Sequence, residues 1–352
     1  MPDTAHSRHP SADDVAVAAN PLAVEVTRGP IVESRHRAAA VVVDRAGAVV
    51  HAWGDVAAPV YPRSAIKPIQ AIPLIESGAA DAFELSEAEI ALACASHGGE
   101  PMHIAVAEGW LKRIGLTVDD LECGAHAPSH APSAEALFAA GETPSAIHNN
   151  CSGKHLGFLT TARHLGEPTR GYIGANHPVQ RRVAGVIAEM SGQALDTAPL
   201  GIDGCGIPTI AIALSSLATA FARFADPSDL APARAAAIRR IQAAMAARPE
   251  LMAGTGRFCT ALNSAAEGRI IGKTGAEGVY AAAVPGLGLG VAVKIDDGAG
   301  RASSVAISAV LRRLGAIDDA LARRLAEVMT VALYNRAGRR VGEVRPAPGW
   351  PD

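Results

Sequence analysis

A serine and a lysine three residues apart, Ser64 and Lys67, form the first pair in the chain whose types and spacing could do chemistry. Side chains at positions i and i+3 of a helix share one face and can touch. A neutral lysine amine can take the proton of a serine hydroxyl and leave an activated nucleophile, provided that burial or a nearby cation lowers the lysine pKa. The alternative is a solvated serine and a surface lysine, because short motifs of this kind also arise by chance.

The scarcity of lysine favours the chemical interpretation. Only five of the 32 basic residues are lysine, and the others are arginine. Arginine cannot lose its proton in a protein, so lysine is required wherever a neutral base or ligand is needed. Three lysines, Lys67, Lys154 and Lys273, lie in Gly- or Ser-bearing stretches that are not typical of exposed helix faces.

The second lysine motif, Gly272-Lys-Thr-Gly275, ends a predicted strand and could hold Lys273 against a catalytic serine. An S-x-x-K motif followed far downstream by K-T-G is the order found in serine β-lactamases and penicillin-binding proteins. The S-x-N element between them is absent here, which argues against a plain β-lactamase. The alternative is a glycine-rich hairpin with an exposed lysine.

Two further stretches could contribute to a site. Two glycines follow Ser96 and His97, so backbone N–H groups could approach a ligand there, and both side chains could move protons. Cys151 and Cys205 are flanked by turn-forming residues and could bind zinc. The alternatives are a glycine helix cap with polar neighbours and two small buried thiols without a C-x-x-C partner. Lys154 would have to be neutral to serve as a third ligand.

Composition limits the classes of function. The 352 residues include 49% hydrophobic and 19% charged residues, which is typical of a soluble globular protein. A net charge of −3 gives no electrostatic argument for binding nucleic acid or an anionic membrane. No apolar run reaches the roughly 18 residues of a transmembrane helix. Five cysteines without framework spacing indicate a reducing compartment, so we expect the cytoplasm.

Strand-like segments lie at both ends of the chain, and helical segments lie between them. The predicted strands are 22–26, 31–35, 38–43 and 48–53, and then 269–273, 279–284 and 288–295. The predicted helices include 86–95, 101–114, 152–165, 177–191, 207–224, 231–246, 257–266, 302–314 and 320–333. Two prolines soon after Ser64 predict an irregular helix there.

These elements predict an α+β fold with one mainly antiparallel sheet. The sheet is expected to come from 22–60 and 269–296, with flanking helices and a helical lobe at about 80–265. The prediction divides the chain into three parts. They are a disordered lead-in at 1–20 without signal-peptide features, a single domain at 21–334 and a loose tail at 335–352. Ser64 and Lys273 are expected to meet in the cleft between sheet and lobe.

Five motifs, in this order, resemble the class 3 L-asparaginases, the thermolabile type first seen in rhizobia. They are YPRSAIKP, CASHGGEP, HNNCSGKH, GIDGCGIPT and GKTGAEG, and the likeness runs from about residue 24 to residue 314. The resemblance implies a homodimer, a fold similar to that of serine β-lactamases and glutaminases, and L-asparagine as the small-molecule substrate.

The resemblance also implies roles for individual residues. Ser64 would be the nucleophile with Lys67 as its base, and Ser96 would pair with Lys273. A zinc ion that supports substrate binding, and does not deliver the attacking water, would be held with water by Cys151, Lys154 and Cys205. The residues expected around the substrate are Arg63, His97, Glu100, Asn149, Asn150 and Asp203.

The sequence therefore predicts an amidohydrolase that converts L-asparagine to L-aspartate and ammonia through an acyl-enzyme. One alternative is another Ser–Lys acyl hydrolase that acts on glutamine, a small peptide or a β-lactam. A second alternative is a non-catalytic protein that binds an amino acid or zinc.

Overall fold

The computed structural model describes residues 19–352. The predicted lead-in falls almost wholly on residues 1–18, which lie outside the described part. Its last residue, Asn20, is held in place: its side chain donates to Asp296 at 2.7 Å and accepts from the Asp55 N–H at 2.7 Å. Tertiary contacts of the described residues therefore begin before the first strand.

Twelve strands are found among residues 19–352, numbered here along the chain. They are β1 (Leu22–Arg28), β2 (Ile31–Asp44), β3 (Val49–Trp53), β4 (Pro59–Val60), β5 (Leu200–Ile202), β6 (Pro208–Ile210), β7 (Ile212–Ala213), β8 (Ile271–Thr274), β9 (Val279–Val284), β10 (Leu289–Ile295), β11 (Val331–Tyr334) and β12 (Arg340–Pro346). One antiparallel sheet has the order β11-β12-β1-β2-β10-β9-β8, with β3 also paired to β2. The predicted sheet from both chain ends is confirmed, and β8, which ends in the K-T-G motif, lies at its edge.

Helices fill the middle of the chain, as predicted. They are α1 (Lys67–Gln70), α2 (Ile72–Glu76), α3 (Ala79–Ala82), α4 (Glu87–Ala93), α5 (Pro101–Arg113), α6 (Ala131–Ala139), α7 (Ser152–Leu165), α8 (Pro178–Ser191), α9 (Leu214–Ala225), α10 (Pro232–Ala247), α11 (Pro249–Ala253), α12 (Phe258–Ala266), α13 (Gly300–Arg313), α14 (Asp319–Arg324) and α15 (Ala326–Met329). Short 3-10 helices lie at Arg63–Ile66, Val118–Asp120, Ala146–His148 and Pro285–Leu287. No helix in the described part of the chain is both long and apolar enough to span a bilayer.

The sheet is covered on both faces. Helix α9 packs against β2, β9 and β10 on one face, and α13 packs against β9, β10, β12 and β1 on the other. Along β2, the odd-numbered residues from 39 to 43 join the core beside α9, and the even-numbered ones from 38 to 42 join the core beside α13. Because successive side chains of a strand alternate between faces, an uninterrupted apolar run fits a strand buried on both sides.

The C-terminal segment differs from the prediction of a loose tail. Strand β12 pairs with β1, with Val24 opposite Pro346 and Val26 opposite Val344. Trp350 is 7% exposed and donates its indole N–H to the Ala306 carbonyl oxygen. The tail is ordered because it covers an otherwise open strand edge and buries apolar side chains beneath α13.

Two predicted helices begin or end elsewhere. The segment predicted as a helix at 207–224 is extended from Pro208 to Ala213, and α9 begins at Leu214. A proline followed by β-branched residues favours this extended start. The segment predicted as a helix at 320–333 breaks after Met329, and β11 follows because it pairs with β12.

Candidate active site

The turn that carries Ser64 is short and held at both ends. Ser64 lies in the 3-10 helix Arg63–Ile66, and Lys67 is the first residue of α1. Each of α1 and α2 has a proline in its first turn, which confirms the predicted irregular helix. Arg63 has a positive φ of 50° and binds Asp203 Oδ1 through Nη2 at 2.9 Å and Nε at 3.1 Å. This ion pair fixes a strained residue directly before Ser64.

The K-T-G strand packs closely against the same turn. A Cβ atom at Gly275 would lie 2.6 Å from the Pro62 carbonyl oxygen and 3.2 Å from the Ala65 nitrogen. Only glycine therefore allows the end of β8 to approach the backbone on either side of Ser64. The contact brings the strand that carries Lys273 to the turn that carries Ser64.

Two buried amines converge on one hydroxyl. Lys67 Nζ and Lys273 Nζ each donate to Ser96 Oγ at 3.0 Å. Lys67 Nζ also donates to the Ala95 carbonyl oxygen, and Lys273 Nζ donates to that of Thr274 at 2.8 Å. Both lysines are 0% exposed, which excludes the surface lysine and the exposed hairpin lysine considered above.

The pairing differs from the one that the sequence suggested. The expected contact of Ser96 with Lys273 is present, but Lys67 also binds Ser96. No hydrogen bond joins Ser64 to Lys67 within the described residues. Ser96 is therefore the centre of a Lys–Ser–Lys group.

Burial determines the charge of one of these amines. Loss of solvation, opposed by Cys259 and assisted by the nearby Lys67 charge, lowers the pKa of Lys273 to about 7. Near neutral pH a substantial fraction of Lys273 is consequently uncharged. Such an amine can receive the proton of the hydroxyl that it contacts.

Ser64 and Ser96 line the same cavity, whose volume is about 390 Å³. Pockets of a few hundred cubic ångströms are typical of small-molecule sites. Asn150, Cys259 and Tyr280 are also part of its wall. Of the six residues expected around the substrate, Asn150 is the one that this cavity includes.

His97 and Glu100 have structural contacts. His97 is 1% exposed; its Nδ1 accepts from the Gly99 N–H at 3.2 Å, so its Nε2 donates to Ser152 Oγ at 2.9 Å. Burial lowers the pKa of His97 well below its ordinary value, and the ring stays neutral. Glu100 accepts from the Thr255 N–H at 2.8 Å and from its hydroxyl at 2.7 Å. Both side chains thus hold the loops around Ser96.

Asn149 has a similar structural role. Its side-chain nitrogen donates to the carbonyl oxygens of Cys123 at 2.8 Å and Gly124 at 3.0 Å, and its side-chain oxygen accepts from the Cys151 N–H at 2.8 Å. It fixes the turn that leads into α7. The Asn150 N–H donates to His126 Nε2 at 2.9 Å, and Asn150 lines the cavity.

Cys151, Lys154 and Cys205 form a buried cluster beside this centre. Lys154 Nζ donates to Cys205 Sγ at 3.1 Å. A hydrogen bond from Cys205 lowers the pKa of the Cys151 thiol well below its ordinary value, against the effect of burial. That bond and burial together raise the pKa of Cys205. Burial would lower the pKa of Lys154, but the charges of the two sulfur atoms raise it.

The donor set of this cluster fits zinc on the condition that the Lys154 amine is a ligand. No group of three Cys, His, Asp or Glu that could hold a metal ion occurs within residues 19–352. A site with two thiolates therefore needs the Lys154 amine as its third ligand. Two sulfurs and one nitrogen with an open fourth position suit tetrahedral zinc, and binding would displace the proton of Lys154.

Sequence reasoning missed Thr255 and Arg257. Thr255 is bound by Glu100, and Arg257 lines the cavity just before α12. The signal for both was available in Gly254-Thr-Gly256, a glycine-bearing loop that leads directly into a helix.

Among the comparisons with known proteins, the match to a family model agrees with the five motifs. A crystal structure of a β-lactamase from Mycobacterium bovis is 16% identical, covers 78% of this chain and 94% of its own, and superimposes with a TM-score of 0.39. No curated protein matches the chain. The sequence model of the L-asparaginase II family matches residues 24–346, which is most of the chain. The protein therefore belongs to the L-asparaginase II family.

Proposed function

We propose that this protein hydrolyses the side-chain amide of L-asparagine to give L-aspartate and ammonia. Membership of the L-asparaginase II family supports an asparaginase-type amidohydrolase. The observation that carries the proposal is the contact of Ser96 Oγ with the amines of Lys67 and Lys273, each at 3.0 Å, beside a cavity that also contains Ser64.

Ser64 is the proposed nucleophile. It lines the cavity, and no hydrogen bond within the described residues occupies its hydroxyl. The Ser64 oxygen attacks the amide carbon. The proton of the Ser64 hydroxyl passes by way of Ser96 to the uncharged Lys273. When the carbon–nitrogen bond breaks, the same path returns a proton to the leaving ammonia. Water then hydrolyses the ester, and Ser64 recovers its proton.

Ser96 is the second candidate for the nucleophile. It is favoured by the contact of both lysines with Ser96 rather than with Ser64. Mass spectrometry of the acyl-enzyme separates the two assignments, because the added acyl group resides on the peptide that contains the nucleophile. A label on the Ser96 peptide would contradict the assignment of Ser64.

Other functions are separated by substrate. Ammonia release from L-asparagine, with glutamine and nitrocefin as controls, distinguishes an asparaginase from a glutaminase or a β-lactamase-like hydrolase. Calorimetric binding of asparagine without ammonia production would favour a non-catalytic amino-acid-binding protein.

We further propose that Cys151, Lys154 and Cys205 bind zinc. When bound, the ion would supply a Lewis acid that helps to hold the substrate. The chain's own residues carry out the proton transfers described above.

A homodimer is part of the same proposal, and sedimentation analysis of the purified protein tests it. The cytoplasmic location stays a prediction.

A further inference from the structure

One wall of the catalytic cavity has no role in the chemistry described above. It is formed by Arg257, at the start of α12, together with Gly300, Ser303 and Ser304 at the start of α13. The side chain of Arg257 is exposed and makes no hydrogen bond or ion pair within residues 19–352. The cavity lining contains no aspartate or glutamate among the described residues. An unpaired guanidinium at a cavity without carboxylates favours an anionic ligand.

The start of α13 adds to this positive wall. The helix has 14 residues and begins at Gly300, so the positive end of its dipole lies at the cavity. Ser303 uses its hydroxyl to donate to the Gly300 carbonyl oxygen at 3.0 Å. The Ser304 hydroxyl has no bond within the part of the chain that the structure describes and can donate to a ligand.

The loop before Arg257 is fixed in place by Glu100. Glu100 accepts two hydrogen bonds from Thr255, and Thr260 donates its hydroxyl to the Gly254 carbonyl oxygen at 2.7 Å. Gly254 has a φ of 108°, and a Cβ atom there would lie 2.1 Å from Glu100 Oε1. A loop held so closely limits the cost of ordering the backbone that carries Arg257.

We propose that Arg257, with Ser304 and the start of α13, binds the α-carboxylate of the substrate. This inference rests on the proposed function. With the carboxylate at this wall, the side-chain amide is directed to Ser64 and Ser96, which also line the cavity. Arg257 then restricts the substrates to amides that carry a carboxylate. A planar guanidinium suits such a group because it can donate two parallel hydrogen bonds.

The test compares Arg257→Met with Arg269→Met. Arg269 is an exposed arginine that pairs with Asp318 outside the cavity, so the control removes the same charge elsewhere. Three substrates are used: L-asparagine, succinamate, which lacks the amino group, and 3-aminopropanamide, which lacks the carboxylate. We expect Arg257→Met to raise KM for the first two by about ten- to hundredfold, the effect of losing a charged hydrogen bond.

The pattern of kinetic constants separates binding from general damage. Loss of ground-state binding raises KM and leaves kcat nearly unchanged. Arg257→Lys, which keeps the charge, is expected to give an intermediate KM. 3-Aminopropanamide is expected to be a poor substrate whose constants do not respond to Arg257→Met. An unchanged KM for asparagine, or an equal change for 3-aminopropanamide, overturns the inference.

A binding measurement distinguishes this inference from the proposed function. Calorimetry of L-asparagine is carried out on Ser64→Ala, with and without the added Arg257→Met change. A tenfold or greater loss of affinity supports the carboxylate site even if the wild type releases no ammonia, an outcome that would reject only the proposed hydrolysis. Equal affinity in the two variants, or no binding to either, overturns the inference.

Discussion

At the scale of single residues, the site depends on lysine side chains that are removed from water. Lys67, Lys154 and Lys273 are each at most 3% exposed. An arginine in any of these positions would remain charged, because its pKa stays far above the physiological range. The three buried lysines are the same three that the sequence placed in unusual stretches, which supports the argument from lysine scarcity.

The pH dependence of turnover tests the charge of Lys273. Burial lowers its pKa to about 7, and the uncharged form is the one that accepts a proton. We therefore expect kcat to be low in acid, to rise through neutral pH and to level off in mild alkali. Lys273→Arg, which stays charged at all these pH values, should lose activity while its circular dichroism spectrum is retained. A flat profile from acid to alkali would contradict this role.

The metal proposal has a test that does not depend on activity. Cys205→Ala removes a sulfur that contacts Lys154, so the zinc content of the purified protein is expected to fall strongly. Cys94→Ala is the matched control, because Cys94 is also a buried free cysteine and is not one of the proposed ligands. Elemental analysis measures both variants. Equal zinc content in the two would reject the proposed ligands.

At the scale of elements, the site is built where the sheet edge meets a short helical turn. Strand β8 delivers Lys273, the turn at Arg63–Ile66 delivers Ser64, and the residues after α4 deliver Ser96. Two close approaches, at Gly275 and at Gly254, hold these segments together. The geometry therefore depends on backbone positions that only glycine can occupy.

Gly275→Ala tests the approach of β8 to the Ser64 turn. The new methyl group would meet the Pro62 carbonyl oxygen at 2.6 Å, so the strand or the turn must move. We expect a loss of about 1–3 kcal/mol in the free energy of unfolding and a marked decrease in kcat. Gly286→Ala is the control, because a Cβ atom there has no neighbour within 4 Å. Thermal unfolding and ammonia release measure the two effects, and equal behaviour of both variants would refute the account.

At the scale of the whole molecule, both chain ends complete one sheet. Strand β12 lies between β11 and β1, and Trp350 packs into the core that also contains α13. The terminal residues therefore stabilise the sheet that carries Lys273, although they lie far from it in sequence.

Trp350→Ala tests the structural role of the C-terminal segment. Removing a large buried aromatic side chain is expected to cost about 3–5 kcal/mol in the free energy of unfolding. Tyr334→Ala is the matched control, since Tyr334 is 64% exposed and should lose little. Urea unfolding measures both. A Trp350→Ala protein as stable as the wild type would restore the original prediction of a loose tail.

Local sequence patterns predicted where helices begin better than they predicted the contacts between distant segments. The predicted starts of the helices at 86–95 and 101–114 are correct, because the structure has a capping box at Ser86 and a proline at position 101, and such signals act within one turn. The spacing of Ser64 and Lys67 could not reveal that Lys67 binds Ser96, which comes from a distant segment. The resemblance implied that His97 and Glu100 lie around the substrate, but it could not reveal their hydrogen bonds with Ser152 and Thr255, which come from distant segments.

The serine variants test the central claim most directly. Ammonia release from L-asparagine is measured for the wild type, Ser64→Ala, Ser96→Ala and the control Ser264→Ala, an exposed serine of α12. The account predicts that the wild type and the control release ammonia at the same rate. It also predicts that both cavity variants keep their fold and lose at least about a hundredfold in rate. Wild-type turnover by Ser64→Ala or by Ser96→Ala would contradict it.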